Sequence, residues 1–341
     1  MLIELILIGL GLALLMKGAD FLVDGSSKIA KKFKIPEIVI GLTIVAIGTS
    51  LPELVISAES AFKGISDISI GNVVGSNIAN LFLIISLCAV IEPILIKRET
   101  KYIENPIVIL CTCILYLIIS NDGAVLQNEG IALIGMSLLY VLYNVVMSRV
   151  GNKLEENGEE LKKQEITYDK RSQTNKNDKK NNKLRGSLIY PIVQIIIGII
   201  ALKFGGDFVV DNAVLIAERL GISKKLISLT IVAFGTSLPE LITCISATKK
   251  GESDLAVGNI IGSQILNILL IVGVSATIMP ILDVWSYLDE LKILIIGNII
   301  FALLPFIGQK NKIGRASGLA FVSFYIVYIV NLVIENIANQ F

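Results

Sequence analysis

The chain has 341 residues, 54% of them apolar and 17% charged, with a mean hydropathy of +0.75. Soluble domains average about 45–50% apolar and about 25% charged residues, so the composition argues against a soluble enzyme, a secreted disulfide scaffold and a disordered chain. Lys+Arg number 30 against 29 Asp+Glu, which leaves no global field to draw nucleic acid.

Ten hydrophobic segments follow in chain order, at roughly 2–23, 36–61, 68–91, 106–120, 128–148, 187–210, 223–248, 255–280, 291–308 and 316–336. Several approach or exceed the roughly 18–20 apolar residues that span a bilayer. The first has no basic n-region and no small-residue cleavage site ahead of the charges that follow it, and is expected to be a retained span. Lys28, Lys31, Lys32 and Lys34 follow the first span, and Lys97, Arg98 and Lys101 follow the third. Lys249 and Lys250 follow the seventh, and Lys310, Lys312 and Arg315 the ninth. All lie on one predicted side, with the basic run of 149–186. The other side holds only Lys63, Arg219, Lys224, Lys225 and Lys292. The bias of basic loops toward the cytoplasm then places both termini outside a cell membrane. The stretch 151–185 is rich in Lys, Glu, Asn and Gln and reads as a polar cytoplasmic linker.

The sequence repeats itself. Gly41–Asn80 aligns without a gap on Ser228–Asn267, with more than half the positions identical. The shared positions include Gly, Thr, Ser, Pro, Glu and Asn, which apolar composition alone would not align. The same offset takes Asp20 to Asp207 and Asp24 to Asp211. The expected fold is an all-α membrane protein of ten transmembrane helices in two five-helix repeats, 1–149 and 187–341, joined by the linker 150–186. An odd number of spans per half makes the repeats inverted, the architecture of secondary transporters with a midplane site.

The polar residues of each half concentrate in its second and third spans. Ala46-Ile47-Gly48-Thr49-Ser50-Leu51-Pro52-Glu53 is mirrored by Ala233-Phe234-Gly235-Thr236-Ser237-Leu238-Pro239-Glu240. Thr and Glu stand four apart, on one helical face. Pro cannot donate an N–H, so the carbonyls of Gly48 and Gly235 are freed. A carboxylate, two hydroxyls and loose carbonyls per half are ligands for a hard cation. An ionised Glu at a helix centre costs about 2.5–3.5 kcal/mol on insertion scales. No Lys or Arg lies mid-helix to offset it, so a bound cation is the simplest partner. The third spans add Ser76 with Asn80 and Ser263 with Asn267, each pair four apart, and Gly71/Gly75 and Gly258/Gly262 for close helix approach. Asp20, Asp24, Asp207 and Asp211 are read as interface or entrance residues, Lys17 and Lys203 as snorkelling or pairing with those acids, and Trp285 as an interfacial anchor. The four cysteines, Cys88, Cys111, Cys113 and Cys244, read as apolar fillers. With no His, transition-metal and Ser–His chemistry are poor bets.

Two copies of G-T-S-L-P-E-L, each followed by G-N-x-x-G-S, resemble the alpha repeats of the sodium/calcium exchangers, within the cation/calcium antiporter superfamily. The resemblance covers both halves but not the linker. It implies sodium and calcium as transported ions across the lipid bilayer, with no cofactor, no catalytic residue and no obligatory protein partner. By motif matching it implies Glu53 and Glu240 as the main ligands. Thr49, Ser50, Thr236, Ser237, Ser76 and Ser263 would add hydroxyls, and Ala46 and Ala233 backbone carbonyls. Asn80 and Asn267 would occupy the middle of the cluster. Many prokaryotic relatives carry Asp where this chain has Asn267. The expected function is calcium-for-sodium antiport by alternating access. A cation/proton antiporter and a passive cation channel are the rivals, and an intramembrane enzyme finds no nucleophile–base pair.

Overall fold

The computed structural model describes residues 2–33, 35–147, 188–219, 233–307 and 311–338. The expected linker 150–186 and the start of the seventh segment lie outside them. Among the described residues the chain is helical, apart from two-residue strands and short turns.

α1 (Leu2–Phe33) opens the fold. α2 (Glu37–Thr49) and α3 (Leu51–Phe62) follow, bent by 48° at a break. α4 starts as Ser66–Ile78, loosens into a π-helical turn at Ala79–Ile84 and ends as Ile85–Ile91. α5 (Thr100–Asp122) and α6 (Gln127–Met147) complete the first half. The second half contains α7 (Ile189–Arg219), the short α8 (Ala233–Thr236) and α9 (Leu238–Lys249). It continues with α10 (Ser253–Ile278), α11 (Leu288–Leu303) and α12 (Arg315–Ala338). Seven of these helices are long and apolar enough to cross a membrane, and the bent pair α2–α3 makes an eighth span. Length alone therefore gives fewer spans than the ten expected. α11 has only 16 residues, and what precedes α8 is not described.

Several helices outrun their apolar segments. α1 continues ten residues past the predicted end at 23, because its polar last turns find partners on neighbouring helices. α10 and α4 are the most enclosed spans, whereas α1, α6 and α12 turn most of their apolar surface outward, as helices facing lipid do. α10 packs along α2 and α9, and α4 along α3. Gly258 and Gly262 explain the α2–α10 contact. A methyl on Gly258 would collide with the Ile38 carbonyl oxygen, and one on Gly262 would lie 2.7 Å from that of Leu42. Gly71 instead faces the Tyr287 ring.

α1 and α7 form the other extensive contact. Gly11 meets Gly205, Gly18 meets Gly198, and Gly25 meets the Pro191 carbonyl, so the two helices run antiparallel. Gly11 and Gly18 are the repeat mates of Gly198 and Gly205, so the seam is self-complementary. Arg219 Nη1 pairs with Glu4 Oε1 at 2.7 Å at one end. At the other, Lys28 Nζ donates to Gln194 Oε1 at 2.9 Å and lies over the Tyr190 ring. The pair is tied at both ends.

Two small backbone ties also join the halves. β1 (Ile94–Leu95) pairs antiparallel with β2 (Lys312–Ile313), and Val125 bridges Ile281. Cys88, Cys111 and Cys244 are buried and Cys113 half-buried, all as free thiols.

Candidate functional site

The break between α2 and α3 is where the site begins. Ser50 leaves helical geometry at φ −84°, ψ 8°, and its mate Ser237 does so at φ −87°, ψ 5°. Pro52 and Pro239 sit in the first turn of the next helix, where a missing N–H costs nothing to that helix. It does remove the donor that the preceding segment would need to continue. Thr49 and Glu53 therefore do not lie on one continuous helix, as their spacing suggested. Thr49 ends α2 and Glu53 opens α3, and the break aims both inward.

Both carboxylates are fully buried. Each is held by the serine of the other repeat. Ser50 Oγ donates to Glu240 Oε1 at 3.0 Å, and Ser237 Oγ donates to Glu53 Oε1 at 3.4 Å. The threonines cross in the same way. Thr49 Oγ1 donates to Asn259 Oδ1 at 3.0 Å, and Thr236 Oγ1 to Asn72 Oδ1 at 3.3 Å. Thr49 Oγ1 also lies 3.4 Å from the Ala46 carbonyl. Ser50 and Ser263 share a hydroxyl contact at 3.0 Å. Ala233 begins α8, at the position matching Ala46 at the head of the turn before the break.

The middle of the molecule is closed by amides. Asn267 Nδ2 donates to Asn77 Oδ1 at 3.0 Å, and Asn77 Nδ2 donates to the Gln264 carbonyl at 3.1 Å. The oxygens left over are informative. Glu53 Oε2, Glu240 Oε2, Asn80 Oδ1, Asn267 Oδ1, Gln264 Oε1 and Ser76 Oγ are buried without a hydrogen-bond partner, and so is one nitrogen, Asn80 Nδ2. Buried polar atoms are rarely left so, and each orphan carries a desolvation penalty of about 1–3 kcal/mol. Six oxygens, two of them from carboxylates, suit a hard cation.

Every residue expected from the sequence to be an ion ligand thus falls on the two broken helices and the two helices that pack on them. Three positioning residues carry no role in the sequence reading. Asn72 and Asn259 orient the threonines of the opposite repeat, and Asn72 Nδ2 also donates to Ser57 Oγ at 2.9 Å and to the Glu53 carbonyl. Asn77 joins the two halves. Asn72 and Asn259 are the Asn of the repeated G-N pair, so their recurrence was the available signal. Asn77 is Gln264 in the other copy and leaves no such trace.

Outside the site, Asp20 and Asp24 reach across to the α9–α10 turn. Lys250 Nζ pairs with Asp20 Oδ1 at 3.0 Å and Asp24 Oδ1 at 2.9 Å, and Ser246 Oγ donates to Asp20 at 2.8 Å. Burial pulls the Lys250 ammonium down, but the bonds to Asp24 and Asp20 outweigh it and raise it above the ordinary lysine value. Beside them, Ser27 Oγ and Lys31 Nζ bind Glu252 Oε1 at 2.8 and 3.0 Å. Lys203 pairs with Asp207 at 2.8 Å within its own helix.

The sequence-family profile described as "Sodium/calcium exchanger protein" matches residues 3–146 and 190–334. The chain is 33% identical to the sodium/calcium exchanger MaX1 of Methanosarcina acetivorans, over 97% of this chain and 98% of that one. It is also 33% identical to the inner membrane protein YrbG of Escherichia coli K12, over 97% of each chain. Among solved structures, the sodium-calcium exchanger NCX_Mj, soaked with sodium and calcium, matches with a TM-score of 0.78 and 31% identity, covering 97% of this chain and 98% of that one.

Proposed function

This chain belongs to the sodium/calcium exchanger family, and on that premise we propose that it exchanges calcium for sodium as a secondary antiporter. The cage is built on Glu53 and Glu240. Thr49, Ser50, Ser76, Thr236, Ser237 and Ser263 supply hydroxyl oxygens, and Asn80 and Asn267 amide oxygens. Ala46 and Ala233 supply backbone carbonyls at the turns before the two breaks. The observation that carries this reading is the pair of buried carboxylates, each with one oxygen held by the opposite repeat and the other left without a partner.

Two carboxylates carry two negative charges, which one calcium or two sodium ions offset. An empty cage leaves both charges uncompensated in a low-dielectric interior. It therefore resists crossing, which favours exchange over leak. The ten-span inverted-repeat arrangement, with the basic loops and the 150–186 linker in the cytoplasm and both termini outside, completes the proposal. The chemistry is ion transfer without a covalent step.

The test is calcium-45 uptake into liposomes loaded with sodium and diluted into sodium-free buffer. Uptake should require internal sodium. Glu53→Gln and Glu240→Gln should each lower it more than about tenfold, because each removes one of two ligand charges. Uptake driven by a pH gradient alone, flux without any counter-ion, or full exchange in both variants would overturn the assignment.

A further inference from the structure

The ion pairs of α1 and α7 are equivalent in sequence but not in structure. The offset that relates the repeats takes Asp20 and Asp24 to Asp207 and Asp211, and takes Lys250 back to Lys63. Lys250 reaches from the α9–α10 turn to both aspartates of α1. Its mate Lys63, in the α3–α4 turn, pairs instead with Glu59 of its own helix at 2.6 Å. Asp207 likewise turns to Lys203 of its own helix. The same three charges are thus joined across the interface at one face and paired locally at the other. α1 and α7 are bound to each other at both ends and along a glycine seam, and so form one packed unit.

We propose that these are two alternating latches: Lys250 with Asp20 and Asp24 closes one face, Lys63 with Asp207 and Asp211 closes the other, and each forms only when the other is open. Lys63 is free to change partners because Glu59 and Lys63 are both well exposed, whereas Lys203 and Asp207 are half-buried. Exposed pairs are weak, so a latch of this kind biases the two states without trapping either. The faces are also unequal. Glu252, which binds Ser27 and Lys31 of α1, has Ile65 as its repeat mate. Position 65 thus offers an apolar side chain where the Lys250 face has a carboxylate, and the Lys250 closure, which the structure shows formed, is the resting state.

The inference rests on the alternating-access reading but not on the identity of the ions. Cysteine pairs test it in a Cys113→Ser background with a protease site inserted within 150–186. After cleavage, a thiol-specific cross-linker of short span holds the halves together on a non-reducing gel only if the pair has met. Asp24→Cys with Lys250→Cys should link readily at rest, and Lys63→Cys with Asp211→Cys slowly. In the protein carrying all four cysteines, closing the first bridge should suppress the second more than tenfold by peptide mass. Lys250→Gln or Glu252→Gln should each speed the 63–211 link severalfold. Both bridges forming independently in one molecule would overturn the proposal, and so would a 63–211 link that never forms once Lys250 is neutralised. If exchange assays fail while the bridges remain exclusive, only the ion assignment falls. If exchange holds and the bridges are independent, the latches fall alone.

Discussion

At the scale of single residues, the site is a set of exchanged partners. Ser50, Ser237, Thr49 and Thr236 each serve an acceptor in the other repeat. The residue types were legible because the motif recurs intact, but the crossing was not. Four-residue spacing on a helix suggested Thr49 beside Glu53, and the break at Ser50 sends them to different neighbours. Asn267 gives the sharpest prediction at this scale. Its amide donates to Asn77 Oδ1. A carboxyl group at that position makes the same contact only while protonated. The ratio of Asn267→Asp to parent exchange should therefore stay near one in acid and depart from it as pH rises, the titration of Glu53 and Glu240 being common to both proteins. Calcium-45 uptake across a pH series in both proteins checks this.

At the scale of elements, two devices place the site. One is the proline-marked break, which was legible from Pro52 and Pro239. The other is the glycine seam between α1 and α7. Glycines spaced seven apart at Gly11, Gly18 and Gly25 were visible in the sequence, but an apolar helix facing lipid offers many equivalent stripes. Only the docked partner shows which stripe is used. A methyl on Gly18 would lie 2.9 Å from both the Gly198 carbonyl oxygen and the Leu202 nitrogen, and backbone atoms cannot rotate away. Gly18→Ala should cost about 1–3 kcal/mol through forced separation of the helices. It should lower the melting temperature in detergent and slow exchange. Gly9→Ala, on the same helix with nothing within 4 Å, should leave melting unchanged or raise it slightly.

At the scale of the whole molecule, the duplication is divided in sequence but not in function. The halves 1–149 and 187–341 are read as separate repeats, yet neither contains a carboxylate together with the serine that holds it. Each half expressed alone should show no sodium-dependent calcium uptake, and the two expressed together should recover it without the linker. The uptake assay on the two preparations decides this. The state of the molecule was the least legible feature. Matching aspartates and lysines in both copies predict equal faces, and only the packed structure shows one set joined across the interface and the other paired locally.

The crossed serine–glutamate bonds constrain how such a chain can change over generations. Most duplicated segments are free to drift apart, since one copy can keep the original task while its sibling acquires another. Here a lost hydroxyl in one copy injures the carboxylate of its sibling. Ser50 is thus answerable to Glu240, and Ser237 to Glu53, so neither copy can be spared as a place for experiment.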